Sequence, residues 1–339
     1  MNETSHQPLT SSELAHLWSC YMANSMTRCF LSYGLGVIQD QDIRPQIQQA
    51  YDDAVQMTTT IQDIFTAEEI PIPVGFTNQD VNIKAKRLFQ DTFFLDYINK
   101  MGKLGTAQYA RYHSGSSRQD IRAFFSNCIS QSSAMYDHST ETKLAKGLLI
   151  RSPYIAISNK VEHAGNKQYF SGVNPFSDTR SLNAVEISHL SLNMETNILG
   201  VMISTAFGQT AASQKVREYM LKGKDMAKKH IKTFGKLLAG SDIQAPMTWD
   251  SSIVDSTDAP FSDKLMMYHM SLLSASGIGN YGLAAAQSLR SDLAMTYPRL
   301  AADIAQFTKD GADIMVKNGW LEVPPQAADR NKLIKQKRK

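Results

Sequence analysis

A nine-residue stretch occurs twice in this chain, and its recurrence constrains the fold more than any other feature. Near the N-terminus it reads Leu9-Thr10-Ser11-Ser12-Glu13-Leu14-Ala15-His16-Leu17. It returns as Leu182-Asn183-Ala184-Val185-Glu186-Ile187-Ser188-His189-Leu190. Each copy reads as a helix start. Thr10 or Asn183 is the N-cap, and Glu13 or Glu186, three residues on, closes a capping box. Leu9 or Leu182 outside the cap can staple onto Leu14 or Ile187 inside it.

The copies lie 173 residues apart, and the offset persists along the chain. Glu13, His16, Leu17, Asn24, Arg44 and Pro73 recur as Glu186, His189, Leu190, Asn197, Arg217 and Pro246. After a one-residue deletion the offset is 172, and Phe89, Asp91, Gly105, Tyr109, Arg118, Asp120, Gly147 and Pro153 recur as Phe261, Asp263, Gly277, Tyr281, Arg290, Asp292, Gly319 and Pro325. A single gap across so many matches, at caps and turns as well as in apolar stripes, implies internal duplication.

One unit predicts four helices. The first covers 11–37, and Asp40 stands where it can cap the second. The second carries Ile43, Ile47, Ala50, Ala54, Met57, Ile61 and Ile64, a 4-3-4-3-4-3 stripe that marks the seam of a bundle. A long connection over 68–86 holds Pro71, Pro73 and Gly75. The third helix runs from about 88 to 112 and turns at Ser114-Gly115-Ser116, and the fourth ends at Lys146. Gly147 suits the left-handed position just past that end. No stretch alternates with period two, so strands are not expected.

The expected fold is therefore all-α, two tandem up-down four-helix bundles over 8–150 and 182–328. A linker over 151–181, rich in Ser, Asn, Gly and Pro, separates them, and a basic tail over 329–339 follows.

At 339 residues the chain has room for about two domains. A net charge of +3 gives no reason to expect nucleic acid as a partner. Cys20, Cys29 and Cys128 have neither metal-ligand nor disulfide-framework spacing and read as reduced core thiols. Residues 1–7 form no signal-peptide core, and no apolar run approaches the ~18 residues of a membrane span. Synthesis and retention in the cytoplasm are the expectation.

Four runs carry a resemblance: Ala245-Pro246-Met247-Thr248-Trp249-Asp250, Phe261-Ser262-Asp263-Lys264-Leu265-Met266-Met267, Gly277-Ile278-Gly279-Asn280-Tyr281-Gly282 and Asn318-Gly319-Trp320-Leu321-Glu322. The first half echoes them in Pro71-Ile72-Pro73-Val74-Gly75-Phe76-Thr77. Over about 8–328 the chain resembles a domain-of-unknown-function family of spore-forming bacteria. The resemblance implies ferritin-like helical bundles and an association with sporulation, some members being described as putative spore coat proteins. It implies no catalytic residues.

Several motifs have plainer readings. Gly277-x-Gly279-x-x-Gly282 matches the dinucleotide fingerprint, but it sits inside a predicted helix with no strand before it. Gly105, Ala107 and Ala110 hold the same places in the first half, so close helix approach explains the small residues. Glu13-x-x-His16 and Glu186-x-x-His189 echo di-iron ligand pairs, yet the capping box already accounts for each Glu. The sixteen methionines read as core filling, and Phe76 and Trp249 as pins for the long connections.

One constellation remains. His189, His230, His269 and Asp310 come one from each helix of the second unit, with Glu186 nearby; the first unit has His16, Met57, Tyr97 and His138 instead. Two readings stand, core histidines bonded to neighbouring side chains or a single metal ion bound by this set. With simple connections His230 and His269 share one height and His189 and Asp310 another, ~9 Å away and too far for one ion unless the turns are longer, and a full-length crossover would remove His269 from the group.

Two functional classes follow. The first is a non-enzymatic structural or interaction protein, spore-associated by resemblance, with self-association or other spore proteins as partners. The alternative is a metal-binding bundle with a redox or storage role.

Overall fold

Both predicted capping boxes form. The Thr10 hydroxyl accepts from the Glu13 amide while the Glu13 carboxylate accepts from the Thr10 amide, and Asn183 and Glu186 repeat the exchange. The computed structural model describes residues 7–165, 167–172, 179–245 and 252–335. Within them lie α1 (Ser11–Val37), α2 (Arg44–Ala67), α3 (Asp91–Ser114), α4 (Gln119–Ala145), α5 (Ala184–Thr210), α6 (Gln214–Ala239), α7 (Asp263–Gln287), α8 (Ser291–Lys317) and a short α9 (Arg330–Lys335). Asp40 does not cap α2 directly; its carboxylate accepts from the amides of Asp42 and Ile43, forming the turn that leads into the helix. Gly147 and Gly319 both take positive φ just past α4 and α8.

Successive helices pair as hairpins, α1 with α2, α3 with α4, α5 with α6 and α7 with α8. The connection between hairpins departs from the up-down expectation. Asp91, the first residue of α3, accepts from the amides of Gln39 (3.2 Å) and Asp40 (2.8 Å), in the turn between α1 and α2. Asp263 at the start of α7 does the same for Ala212 (2.9 Å) and Ser213 (2.8 Å). Each third helix thus begins at the end where the second began, and the two run parallel. The connection is a full-length crossover. Its length permits this, because extended chain covers about 3.3 Å per residue against 1.5 Å for helix.

The two crossovers meet each other. Val81 bridges Phe261 and Phe89 bridges Ile253, antiparallel. The Asn82 amide donates to the Pro260 carbonyl and that of Val254 to Leu88; Gln90 donates to Ser252 and Ser262 to Asp80. Each bond has its counterpart 172 residues away, so the ladder is reciprocal, as across the two-fold axis of an isologous dimer. Here both partners belong to one chain.

The largest apolar cluster follows this junction and draws on both halves. The Phe30 ring stacks on Phe261 at 4.9 Å between centroids, and Phe261 meets Phe207 edge-on at 5.9 Å. A second cluster lies in the second half alone, around Leu190, Phe234, Tyr281, Tyr297 and Leu300. Phe76 pins its crossover as expected, buried against Tyr268 at 5.0 Å. Trp249, with most of the run predicted to match it, falls in 246–251, outside the described residues, as does the end of the basic tail. Gly277, Gly279 and Gly282 lie inside α7; only Gly277 faces a neighbouring side chain, Ile304, so close approach explains one of the three. Among the described residues no helix is long and apolar enough to cross a membrane.

Candidate functional site

The five residues singled out in the second half take five different sets of partners. His189, on the outer part of α5, bonds the Gln287 amide oxygen at 2.7 Å. Glu186 is fully buried; its carboxylate accepts from the two terminal nitrogens of the Arg180 guanidinium at 2.8 Å and from the Arg290 and Asn183 amides. Burial pushes the Glu186 carboxyl up, and these bonds overcome it and leave it below the usual range. Asp310 is partly exposed on α8, with the Gln306 amide at 2.9 Å and Lys222 at 3.7 Å.

His269 leaves the group entirely, as the crossover requires. It sits at the junction between the halves, where its Nε2 lies 3.4 Å from the Tyr97 hydroxyl. These two residues are repeat equivalents, 172 apart, so they face each other on the pseudo-two-fold axis. Phe30, Phe207 and Tyr97 surround the imidazole edge-on. Burial with no charged neighbour drops its pKa to about 3. Among the described residues no group of three His, Cys, Asp or Glu side chains converges as metal ligands would.

His230 does belong to a network, though with different partners. It is fully buried on α6, with Nδ1 2.9 Å from the Tyr281 hydroxyl and Nε2 3.4 Å from Asp303. Tyr281 also accepts from the Asn197 amide at 2.7 Å. These roles assign the proton: Tyr281 donates to Nδ1, and the Nε2 hydrogen points at the carboxylate. Burial lowers the His230 pKa against the opposing pull of Asp303. The result is a hydrogen-bonded chain, Asn197 to Tyr281 to His230 to Asp303, that ends at a carboxylate shared with Lys229 at 2.7 Å near the surface. It holds a neutral imidazole in place and satisfies every polar atom it buries.

The first half keeps part of that chain. Asn24 donates to Tyr109 at 3.0 Å and also reaches the Cys20 sulfur, but Met57 stands where His230 would be. Sequence reasoning singled out His230 without its partners. The signal was present, because Asn24/Asn197 and Tyr109/Tyr281 both recur at the repeat offset. A second charged cluster had no such signal. Asp96 on α3 bridges Lys100 (2.5 Å) and Lys143 (2.6 Å), where the second half has Tyr268, Leu272 and Met315.

The other recurring polar residues are clips at helix ends. Glu13 accepts from the Ser117 and Arg118 amides at 2.8 Å, joining the start of α1 to the start of α4. Burial raises the Glu13 pKa, but the amides of Arg118, Thr10 and Ser117 outweigh it and hold the value at about 2. Arg118 and Arg290 each pair with the aspartate two residues on, and Arg44 and Arg217 bond carbonyls at the preceding turn.

With this geometry repeated in both halves, one family model matches the chain twice, over residues 2–161 and 170–333; its description is a protein of unknown function, DUF3231. The chain belongs to the DUF3231 family. No curated protein matches it. This DUF3231 chain is also similar to a crystal structure described as a putative spore coat protein from Bacillus halodurans C-125. The identity is 16%, the TM-score 0.40, and the match covers 44% of this chain and 98% of that one.

Proposed function

We propose that the protein is a non-enzymatic structural and interaction unit, built from two ferritin-like four-helix bundles that arose by duplication, and that it associates with the spore. Three features support the architecture: the crossover between hairpins in each half, the recurrence of caps and clips at one offset, and the family model's double match. The observation that carries the functional reading is the reciprocal ladder between the crossovers. It closes the halves on each other, so the chain is an internal dimer, and the buried polar residues the halves share are spent on helix ends, the junction and an Asn–Tyr bond inside each half. What is left to meet other molecules is the outer surface. The spore association rests on the family resemblance.

The test uses purified full-length protein. Light scattering across concentration is expected to give masses above the 37.7 kDa monomer. Fluorescently labelled protein is expected to bind spores over vegetative cells. A strict monomer that labels no spore fraction would remove the reading.

A further inference from the structure

The halves repeat each other's scaffold but not each other's charge. Residues 1–150 carry 12 Lys and Arg against 15 Asp and Glu, whereas 151–339 carry 23 against 17. The contrast is sharpest on equivalent outer helices. α6 holds seven lysines and one arginine against two acids; α2 holds one arginine against three aspartates.

At two equivalent places the sign reverses outright. Asp63 on α2 corresponds to Lys236 on α6, and Asp137 on α4 corresponds to Lys309 on α8. All four side chains are exposed. α2 and α4 lie side by side, linked by Gln131 to Gln56 at 2.8 Å, as α6 and α8 are by Lys229 to Asp303. Each pair therefore presents a two-helix face of the same build. On one face Asp52, Asp63, Asp137 and Glu141 point outward. Its cations Arg44, Arg122, Lys143 and Lys146 are held by Leu35, Ser117, Asp96, and Asp40 with Asp42 respectively. On the other face Asp225 and Asp313 keep the acids of Asp52 and Glu141, but Lys228, Lys232, Lys236 and Lys309 stand exposed beside them, and no bond engages those four side chains among the described residues. Helix ends and solubility explain scattered lysines, but not opposite signs on matching faces.

We propose that the acidic α2–α4 face of one molecule docks on the basic α6–α8 face of a second copy. The contact is heterologous, so each molecule keeps one free face of each sign and the association extends head to tail. It rests on the reading of the protein as an interaction unit and names its partner. Complementary charge steers such an encounter and sets its register, and salt weakens it, the screening length falling from about 30 Å at ~0.01 M to about 3 Å at ~1 M.

Two charge-reversed full-length variants test this, each checked for helix content by circular dichroism. Lys232→Glu with Lys236→Glu cancels most of the excess positive charge of the basic face; Asp63→Lys with Asp137→Lys cancels the excess negative charge of the acidic face. Wild-type mass is expected to rise with concentration at low salt and return to the monomer at high salt. Each variant alone is expected to need about tenfold more protein for the same association, and an equimolar mixture of the two to recover it. Carbodiimide, which joins Lys directly to Asp or Glu, is expected to link Lys232 or Lys236 of a 15N-labelled copy to Asp63 or Asp137 of an unlabelled one. Association that ignores both salt and reversal, a mixture no better than its parts, or a polyanion such as nucleic acid taken up in place of a second copy overturns the docking face. If spore labelling persists in that case, the interaction-unit reading stands; a wild type monomeric at every salt with no spore label removes both.

Discussion

His269 makes the fold acid-sensitive in a window that can be worked out from its surroundings. In the folded chain its pKa is about 3, against 6.5 for the free side chain, because it is buried among aromatic rings with no charge beside it. Between those values the unfolded chain binds a proton that the folded chain refuses. Its contribution to stability is therefore complete above 6.5 and is lost as the pH falls toward 3. The slope is about 1.4 kcal/mol per pH unit, so acidifying to about pH 5 removes roughly 2 kcal/mol. His230 and His16, both lowered by burial, act in the same direction, so the total drop is larger. Glu13 does not interfere, since its window runs from 4.5 down to about 2. The assay is urea unfolding from pH 7.5 to about 5 for the wild type and for His269→Phe. Phe keeps the ring packing and removes the titration. It also strips the Tyr97 hydroxyl of its partner, an offset of about 1–3 kcal/mol that does not change over this range because burial holds the Tyr97 pKa far above it. The difference between the two stability curves is expected to narrow by roughly 2 kcal/mol on acidification. Parallel curves would refute the assignment of a buried neutral imidazole on the axis.

Two further outcomes follow from the same contacts. Tyr281→Phe leaves His230 Nδ1 unpaired in the core and takes one of two bonds from the Asn197 amide, which keeps the Asn193 carbonyl, and is expected to cost about 2–3 kcal/mol in urea unfolding, whereas His230→Met, which installs the residue found at position 57, is expected to stay within about 1 kcal/mol; equal losses would contradict the network. A protease site inserted beside Gly165, in the exposed linker, is expected to yield a cut chain whose two fragments still elute together, where the uncut chain does, and unfold in one transition, because the ladder and the largest apolar cluster span both halves; separation of the fragments would refute that account.

Much of the scaffold is legible in the chain because helix ends are written locally. Thr10 with Glu13 and Asn183 with Glu186 need only each other to mark a start, and Gly147 and Gly319 need only their own φ to mark an end. The stripe from Ile43 to Ile61 likewise names its buried face without reference to what covers it. The candidate site was harder to read. His230 stands out as a buried histidine on an apolar stripe, but nothing local says that Tyr281 and Asp303, on two other helices, will hold it. Simple connections would already hold His230 and His269 about 9 Å in height from His189 and Asp310, and the crossover takes His269 away from the group altogether, to the junction beside Tyr97.

The sequence by itself located the eight long helices of the described residues to within about a turn at their ends, and its recurrences set them in two groups of four, since capping and periodicity act over a few residues. Only the tertiary structure decided that the connections cross the full length of each bundle and pair with one another. That pairing depends on contacts between residues some 170 positions apart, such as Asn82 with Pro260 and Leu88 with Val254. Their free energy exists only once both halves are folded and facing. For the same reason the Tyr97–His269 contact, which joins two positions that the repeat makes equivalent, could be recognised as an axis only in three dimensions.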